Sequence, residues 1–427
     1  MEWLVLGLFL LGLVSCIVSG ASVVWALAAG YVLFFAYGVY QGIAARELLQ
    51  LSGKGLMTVR KILTVMVLIG MLTTVWRSGG TIPMIVALAG NLIQPSAFVL
   101  LTFVLNCLIS CLIGTSLGTA ATMGVICMTM ASLLGVSPVL TGGAVMSGIY
   151  FGDRCSPLST SALLVATITR TDFFHNLTVM ARKAVLPFIL SCVVYALLGW
   201  HQGSAGMDFN VWPLFAAQFQ LHWLTLIPAL VIIILSLAKV DVRKTMCLSI
   251  LIAFILTLTL QHGEVGPLCK MLITGYQTAD PKLAPMLNGG GILSMLPAIA
   301  IIAISATYAG LFERTQLLAH LYQTVENLAR HIGTFGCVWL VSLFISMISC
   351  AQTLAVILTD ELCKKILPDK EKMMIALEDT VIVSAALIPW CIASAIPLTT
   401  LNVSAGCLFF AVYLYLQPLC SWLCWRH

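Results

Sequence analysis

The chain has 427 residues, 60% of them hydrophobic and 9% charged, with a mean hydropathy of +1.06. Soluble globular chains carry about a quarter charged residues, so this composition excludes a water-soluble domain and predicts an all-α polytopic membrane protein. The net charge of +5 is spread over short loops, which speaks to membrane topology and excludes nucleic acid as a partner.

A membrane helix needs about 20 apolar residues, and roughly 12 to 13 stretches satisfy that length criterion. The first, from Leu4 to Val18, contains Leu13-Val14-Ser15-Cys16, which looks like a lipoprotein cleavage box. A signal peptide has a basic leader, whereas only Glu2 precedes this run, so it reads as the first membrane helix. A second apolar stretch, 21–40, leads to a polar segment with Arg46, Lys54, Arg60 and Lys61, and the positive-inside rule makes that loop and the N-terminus cytoplasmic. Residues 1–61 form this N-terminal hairpin and loop.

From Ile62 an apolar run passes through Arg77, Gly79, Gly80 and Pro83 before resuming. Two glycines, a proline and a lone arginine at membrane depth predict a discontinuous helix whose broken backbone lines protein or water rather than lipid. A helix carrying Asn106 then ends in Gly114-Thr115-Ser116-Leu117-Gly118-Thr119, where Gly114 and Gly118 loosen the backbone beside hydroxyls suited to a hard monovalent cation. Small and hydroxyl residues also let membrane helices pack closely, so this stretch carries little weight alone.

Residues 120–134, a turn at Gly135-Val136-Ser137-Pro138 and a further helix deliver Asp153. A carboxylate within a membrane segment marks a functional site unless a partner neutralises it, and Arg154 beside it offers a structural ion pair as the alternative. Ser156, Ser159, Thr160 and Ser161 follow, and Pro157 keeps the local backbone from closing every hydrogen bond. Oxygens so arranged can hold either a proton or Na+, so exclusive occupancy of Asp153 by the two ions gives exchange.

A second basic segment holds Arg170, Arg182 and Lys183, and a third holds Lys239, Arg243 and Lys244. The mixed charges of 262–287 suit the opposite face. Residues 62–200 and 289–427 then read as two repeats of opposite orientation, joined by connecting helices over 201–288. In the second repeat, 308–314 stands for the glycine break at 77–83, Ala351-Gln352-Thr353 for 114–119, and Leu377-Glu378-Asp379-Thr380 followed by Pro389 for Asp153 and Pro157. Adjacent residues on a helix face apart, so Glu378 and Asp379 do not form a dyad. One faces the substrate path and the other an opposing cation, for which Arg77 and Arg314 are the candidates.

Most of the fifteen cysteines lie in apolar runs without ligand spacing and read as buried packing groups. The chain has no GxxxxGK[ST], HExxH or GxSxG motif. It therefore reads as a carrier rather than an enzyme or an ATP-driven pump, with no cofactor and with an ion gradient as its energy source.

The motifs Trp76-x-x-Gly79-x-Thr81-Ile82-Pro83, Gly114-Thr115-Ser116-x-Gly118-Thr119, Ser147-Gly148-x-Tyr150-Phe151-Gly152-Asp153-x-x-Ser156-Pro157-Leu158-Ser159, Thr171-Asp172, Glu378-Asp379 and Leu387-Ile388-Pro389-Trp390 resemble those of the NhaC-type sodium/proton antiporter family. That resemblance implies a secondary carrier of the bacterial inner membrane, commonly a dimer. It also implies that Thr115, Ser116, Asp153, Ser156 and Ser159 form one half of the site and Glu378 and Asp379 the other. The chain departs from the family pattern at Thr160–Leu163 and at Cys391. With the bilayer as the only medium and Na+ and H+ as cargo, Na+/H+ antiport is the leading reading, and coupled transport of an amino acid or carboxylate is the alternative.

Overall fold

The computed structural model describes residues 2–19, 21–90, 94–200, 211–238, 240–280, 283–315 and 321–425. Helices make up its described architecture, and a single isolated bridge joins Tyr276 to Gly289. Among the described residues seven helices are long and apolar enough to cross a membrane, or eight if a bent pair is one span. The count is below the 12 to 13 apolar stretches because several stretches are halves of interrupted spans or shorter helices.

The first interruption falls where glycine and proline predict it. Helix Arg60–Ser78 ends at Gly79, Gly80 takes a positive φ of 82°, and a new helix runs Thr81–Gly90. The expected counterpart at 308–314 is not broken: helix Leu296–Thr315 passes through it. Gly310 there serves close packing instead, since a Cβ on it would lie 3.1 Å from Leu51. Leu51 belongs to helix Ala45–Thr58, an amphipathic element in what reads from sequence as a loop.

Two helical hairpins have tips of matching backbone geometry. Helix Pro95–Ile113 ends on Gly114 in the left-handed region (φ 75°, ψ 11°), and Thr115 (φ −140°, ψ 130°) starts the next helical segment. Helix Thr334–Ser349 ends on Cys350 (φ 56°, ψ 7°), and Ala351 (φ −136°, ψ 121°) starts the helix Gln352–Cys363. Glycine adopts the left-handed turn without strain, whereas a side chain there costs on the order of 1 kcal/mol.

Each tip lies against a broken helix. Helix Pro138–Cys155 stops at Ser156-Pro157-Leu158-Ser159 and resumes as Thr160–Thr169, and Leu158 packs on Gly114. Residues 370–387 stop at Ile388-Pro389-Trp390-Cys391 and resume as Ile392–Leu401 with a bend of 49°, and Ile392 N donates to Cys350 O. Arg154 meets Asp379 while Tyr150, one turn earlier, meets Ala393, so the two broken helices run antiparallel. Matching the prolines in register puts Asp153 opposite Ala385, not opposite Glu378, which lies almost two turns earlier in the chain.

Candidate ion site between the hairpin tips

Asp153 sits in the last turn of helix Pro138–Cys155 and is 3% exposed. Ser161 Oγ donates to its Oδ2 at 3.0 Å. The Ser116 backbone N–H, from one hairpin tip, and the Gln352 amide, from the other, lie near the carboxylate. Tyr150, one turn back, is buried beside both Asp153 and Ser116. One carboxylate is thus reached by polar groups from both halves of the chain.

The remaining hydroxyls are placed differently. Thr115 Oγ1 accepts from Gly118 N at 3.2 Å, and Thr119 Oγ1 donates to Thr115 O at 3.0 Å. Ser156 Oγ donates to Cys111 O at 2.6 Å and accepts from Leu158 N at 3.1 Å. Ser159 Oγ donates to the backbone oxygen of Asp153 and caps the next helix by accepting from Ala162 N at 3.0 Å. Thr380 Oγ1 donates to Ala376 O at 2.6 Å. These groups hold the breaks in shape, as the backbone around a discontinuous helix requires, and their lone pairs are partly committed. Gln352 also donates to Ile382 O at 2.9 Å, tying its hairpin to the second broken helix.

The helix-breaking residues fall into distinct environments. A Cβ on Gly114 would lie 2.3 Å from that of Leu158, and one on Gly118 would lie 2.7 Å from Thr115 Oγ1. A Cβ on Gly79 would lie 2.8 Å from Val75 O and one on Gly80 2.8 Å from Gln261 Nε2, and Pro83 sits inside the first turn of Thr81–Gly90. Pro157 and Pro389 occupy corresponding positions in the two breaks.

Arg154 does not pair with Asp153. Its Nη2 donates to Asp379 Oδ1, with both side chains fully buried, and its Nη1 donates to Met180 O at 3.2 Å. Asp379 further accepts from Gln417 Nε2 at 2.9 Å and Ser421 Oγ at 2.6 Å. The two cations considered as its partners are elsewhere: Arg314 pairs with Glu47 at 2.7 Å, and Arg77 makes no ion pair among the described residues. Sequence reasoning missed Gln417 and Ser421, although two polar residues four apart in the apolar run Val412–Trp425 lie on one helix face. Glu378 is 1% exposed, its Oε2 has no partner among the described residues, and Arg154, Asp379 and Asp153 are near enough for their charges to act on it.

A cavity of about 240 Å³ lies beside this cluster, lined by Ser161 and Gln352 together with Thr160, Leu164, Thr353, Val356 and Ile382. Its lining comes from the helix after the first break, the helix after the second hairpin tip and the stretch before the second break, so Ser161 and Gln352 also face open space.

Opposed hairpins and antiparallel broken helices converging on a buried carboxylate are the architecture of a secondary carrier built from inverted repeats. The Na+/H+ antiporter family model matches residues 2–178 and 148–421, and the chain belongs to that family. It is 25% identical over 394 residues to the Na+/H+ antiporter NhaC of Alkalihalophilus pseudofirmus, covering 90% of this chain and 85% of the relative. It is also 25% identical over 367 residues to the malate-2H+/Na+-lactate antiporter of Bacillus subtilis, covering 84% and 78%. To the arginine/ornithine antiporter ArcD of Halobacterium salinarum it is 24% identical over 342 residues, covering 76% and 70%.

Proposed function

We propose that this chain exchanges Na+ for H+ by alternating access, with Asp153 as the group that holds each ion in turn. The observation that carries this reading is a buried carboxylate bonded by Ser161, with the Ser116 N–H and the Gln352 amide, from the two halves of the chain, close by. A site shared by two opposed repeats changes its access when one repeat rocks against the other. The Arg154–Asp379 pair holds the two broken helices together through that motion, and Glu378 is a second carboxyl available to the exchanged proton.

Orientation follows from charge. Exposed His175 and Glu371 are 3.1 Å apart, so the Arg170–Lys183 segment and the Lys364–Lys372 turn lie at one end of the molecule. The positive-inside rule makes that end cytoplasmic, in a bacterial inner membrane. The 240 Å³ cavity is then the route between Asp153 and the cytoplasm. A homodimer is the assembly expected of this class of carrier.

The test is purified protein in vesicles with imposed Na+ gradients and a pH-sensitive dye inside. Sodium-driven proton flux without any organic solute supports the proposal. Flux that begins only when an amino acid or carboxylate is added replaces it with a solute carrier.

A further inference from the structure

At the far end of helix Arg60–Ser78, about 25 Å from Arg60 at 1.5 Å per residue, lies a second and larger cavity of about 730 Å³. It is lined by segments 125–138, 286–297 and 398–404 and by Thr73 and Arg77. Arg77 is the one charged residue among the described lining, and no carboxylate is among them. Its side chain is enclosed, with the residue 8% exposed. Nη1 makes a long bond of 3.4 Å to Thr73 O, and Nε has no partner among the described residues. Arg154 shows how this protein otherwise treats a buried guanidinium, by pairing it with Asp379.

A glycine loop backs the guanidinium. Gly289, Gly290 and Gly291 all have positive φ, at 134°, 78° and 84°. A Cβ on Gly290 would lie 3.0 Å from Arg77 Nη1 and 2.8 Å from Thr74 Oγ1. Bare backbone is what lets this loop approach the arginine while its other face stays open to the cavity. Neutral polar groups, including Thr129, Asn288, Ser294, Thr399 and Asn402, line the remainder.

A guanidinium held at membrane depth without a counter-ion is costly, and it presents a planar fork of donors matched to a carboxylate. The space beside it lies within the range of about 300–1,000 Å³ typical of small-molecule sites, more than a bare halide needs. We propose that Arg77 and the Gly289–Gly291 loop bind the carboxylate of a small organic anion. The carboxylate takes the free edge of the guanidinium, and the neutral lining takes the remainder of the molecule. This site is separate from Asp153 and stands whether or not the ion exchange proposed above is correct.

The test uses the purified full chain at fixed pH and fixed Na+, comparing sodium lactate and sodium malate with sodium chloride at equal ionic strength. A carboxylate should raise the thermal midpoint of unfolding where chloride does not, and Arg77→Gln should weaken that binding by about tenfold or more, the scale of a lost charge-assisted hydrogen-bond pair. Because Arg77→Gln could fail to fold, unmodified protein is also labelled with phenylglyoxal and the extent of Arg77 modification read by mass spectrometry. Labelling of Arg77 that lactate or malate slows severalfold and chloride does not supports the site. Equal effects of chloride, unchanged affinity in Arg77→Gln, or an Arg77 that phenylglyoxal does not reach would each overturn it.

Discussion

Arg154 donates to Asp379 across 225 positions of sequence, joining the two broken helices through an ion pair to which neither side chain leaves solvent access. The two ends of this pair are supported unequally. Asp379 keeps two further donors, Gln417 and Ser421, whereas among the described residues Arg154 has beyond Asp379 only the Met180 carbonyl and the Cys155 sulfur. Removing one member of a buried pair costs about 3–5 kcal/mol because the other charge is stranded. Asp379→Leu is therefore expected to destabilise by an amount in that range. Arg154→Met is expected to cost less, since Asp379 retains its hydrogen bonds and can take up a proton. The double substitution should recover part of the loss. Thermal unfolding of the purified variants in detergent measures the order, and a larger loss for Arg154→Met than for Asp379→Leu would contradict it.

Gly114 and Gly135 both have positive φ, at 75° and 66°, but differ in what surrounds them. A Cβ on Gly114 would overlap Leu158, and one on Gly135 meets nothing within 4 Å. Gly135→Ala should cost only the left-handed strain of about 1 kcal/mol and leave transport nearly unchanged. Gly114→Ala adds the displacement of a hairpin tip from the helix break it seats on, and should abolish transport while the protein remains in the membrane. Vesicle flux with the two variants side by side checks this.

Ser161 gives Asp153 a side-chain hydroxyl donor, at 3.0 Å, and also lines the 240 Å³ cavity. Loss of a single hydrogen bond is worth about 1 kcal/mol, or roughly fivefold in affinity. Ser161→Ala should weaken the apparent affinity for Na+ by about that factor with little change in maximal flux. Ser156→Ala and Thr119→Ala, whose hydroxyls bond the backbone, should instead lower thermal stability. A fall in Na+ affinity with Thr119→Ala that matches Ser161→Ala would reverse this division of roles.

The membrane class, the breaks at Gly79-Gly80, Ser156-Pro157 and Pro389, and the isolation of Asp153 were legible because each is a local offence against an apolar helix. Glycine, proline and charge stand out in such a background without any knowledge of tertiary structure. What was not legible was long-range pairing. Nothing local to Arg154 marks it as the partner of Asp379 rather than of Asp153 next door, because that choice is set by the antiparallel packing of the two broken helices. The glycine at 310 misled for a related reason: a glycine that breaks a helix and one that admits a neighbouring backbone are identical in sequence. In the second half the acids Glu378 and Asp379 invite a match to Asp153, whereas the prolines invite a match of Pro157 to Pro389. Counting back four residues from each proline sets Ala385, an apolar residue, at the place that Asp153 holds in the first half. The two hairpin tips and helix breaks thus match in backbone but differ in chemistry, since among the described residues the break at 156–159 has an acid beside it, Asp153, and Ala385 stands at the corresponding place before 388–391.

The proposed exchange turns on Asp153. Its substitution by asparagine keeps the shape and the hydrogen bond from Ser161 but removes the charge and the exchangeable proton. In vesicles under an imposed Na+ gradient, Asp153→Asn is expected to fold with a thermal midpoint near that of the unmodified protein and to show no sodium-driven proton flux at any pH. Undiminished flux from correctly folded Asp153→Asn would contradict the account and leave the carboxylate a structural group.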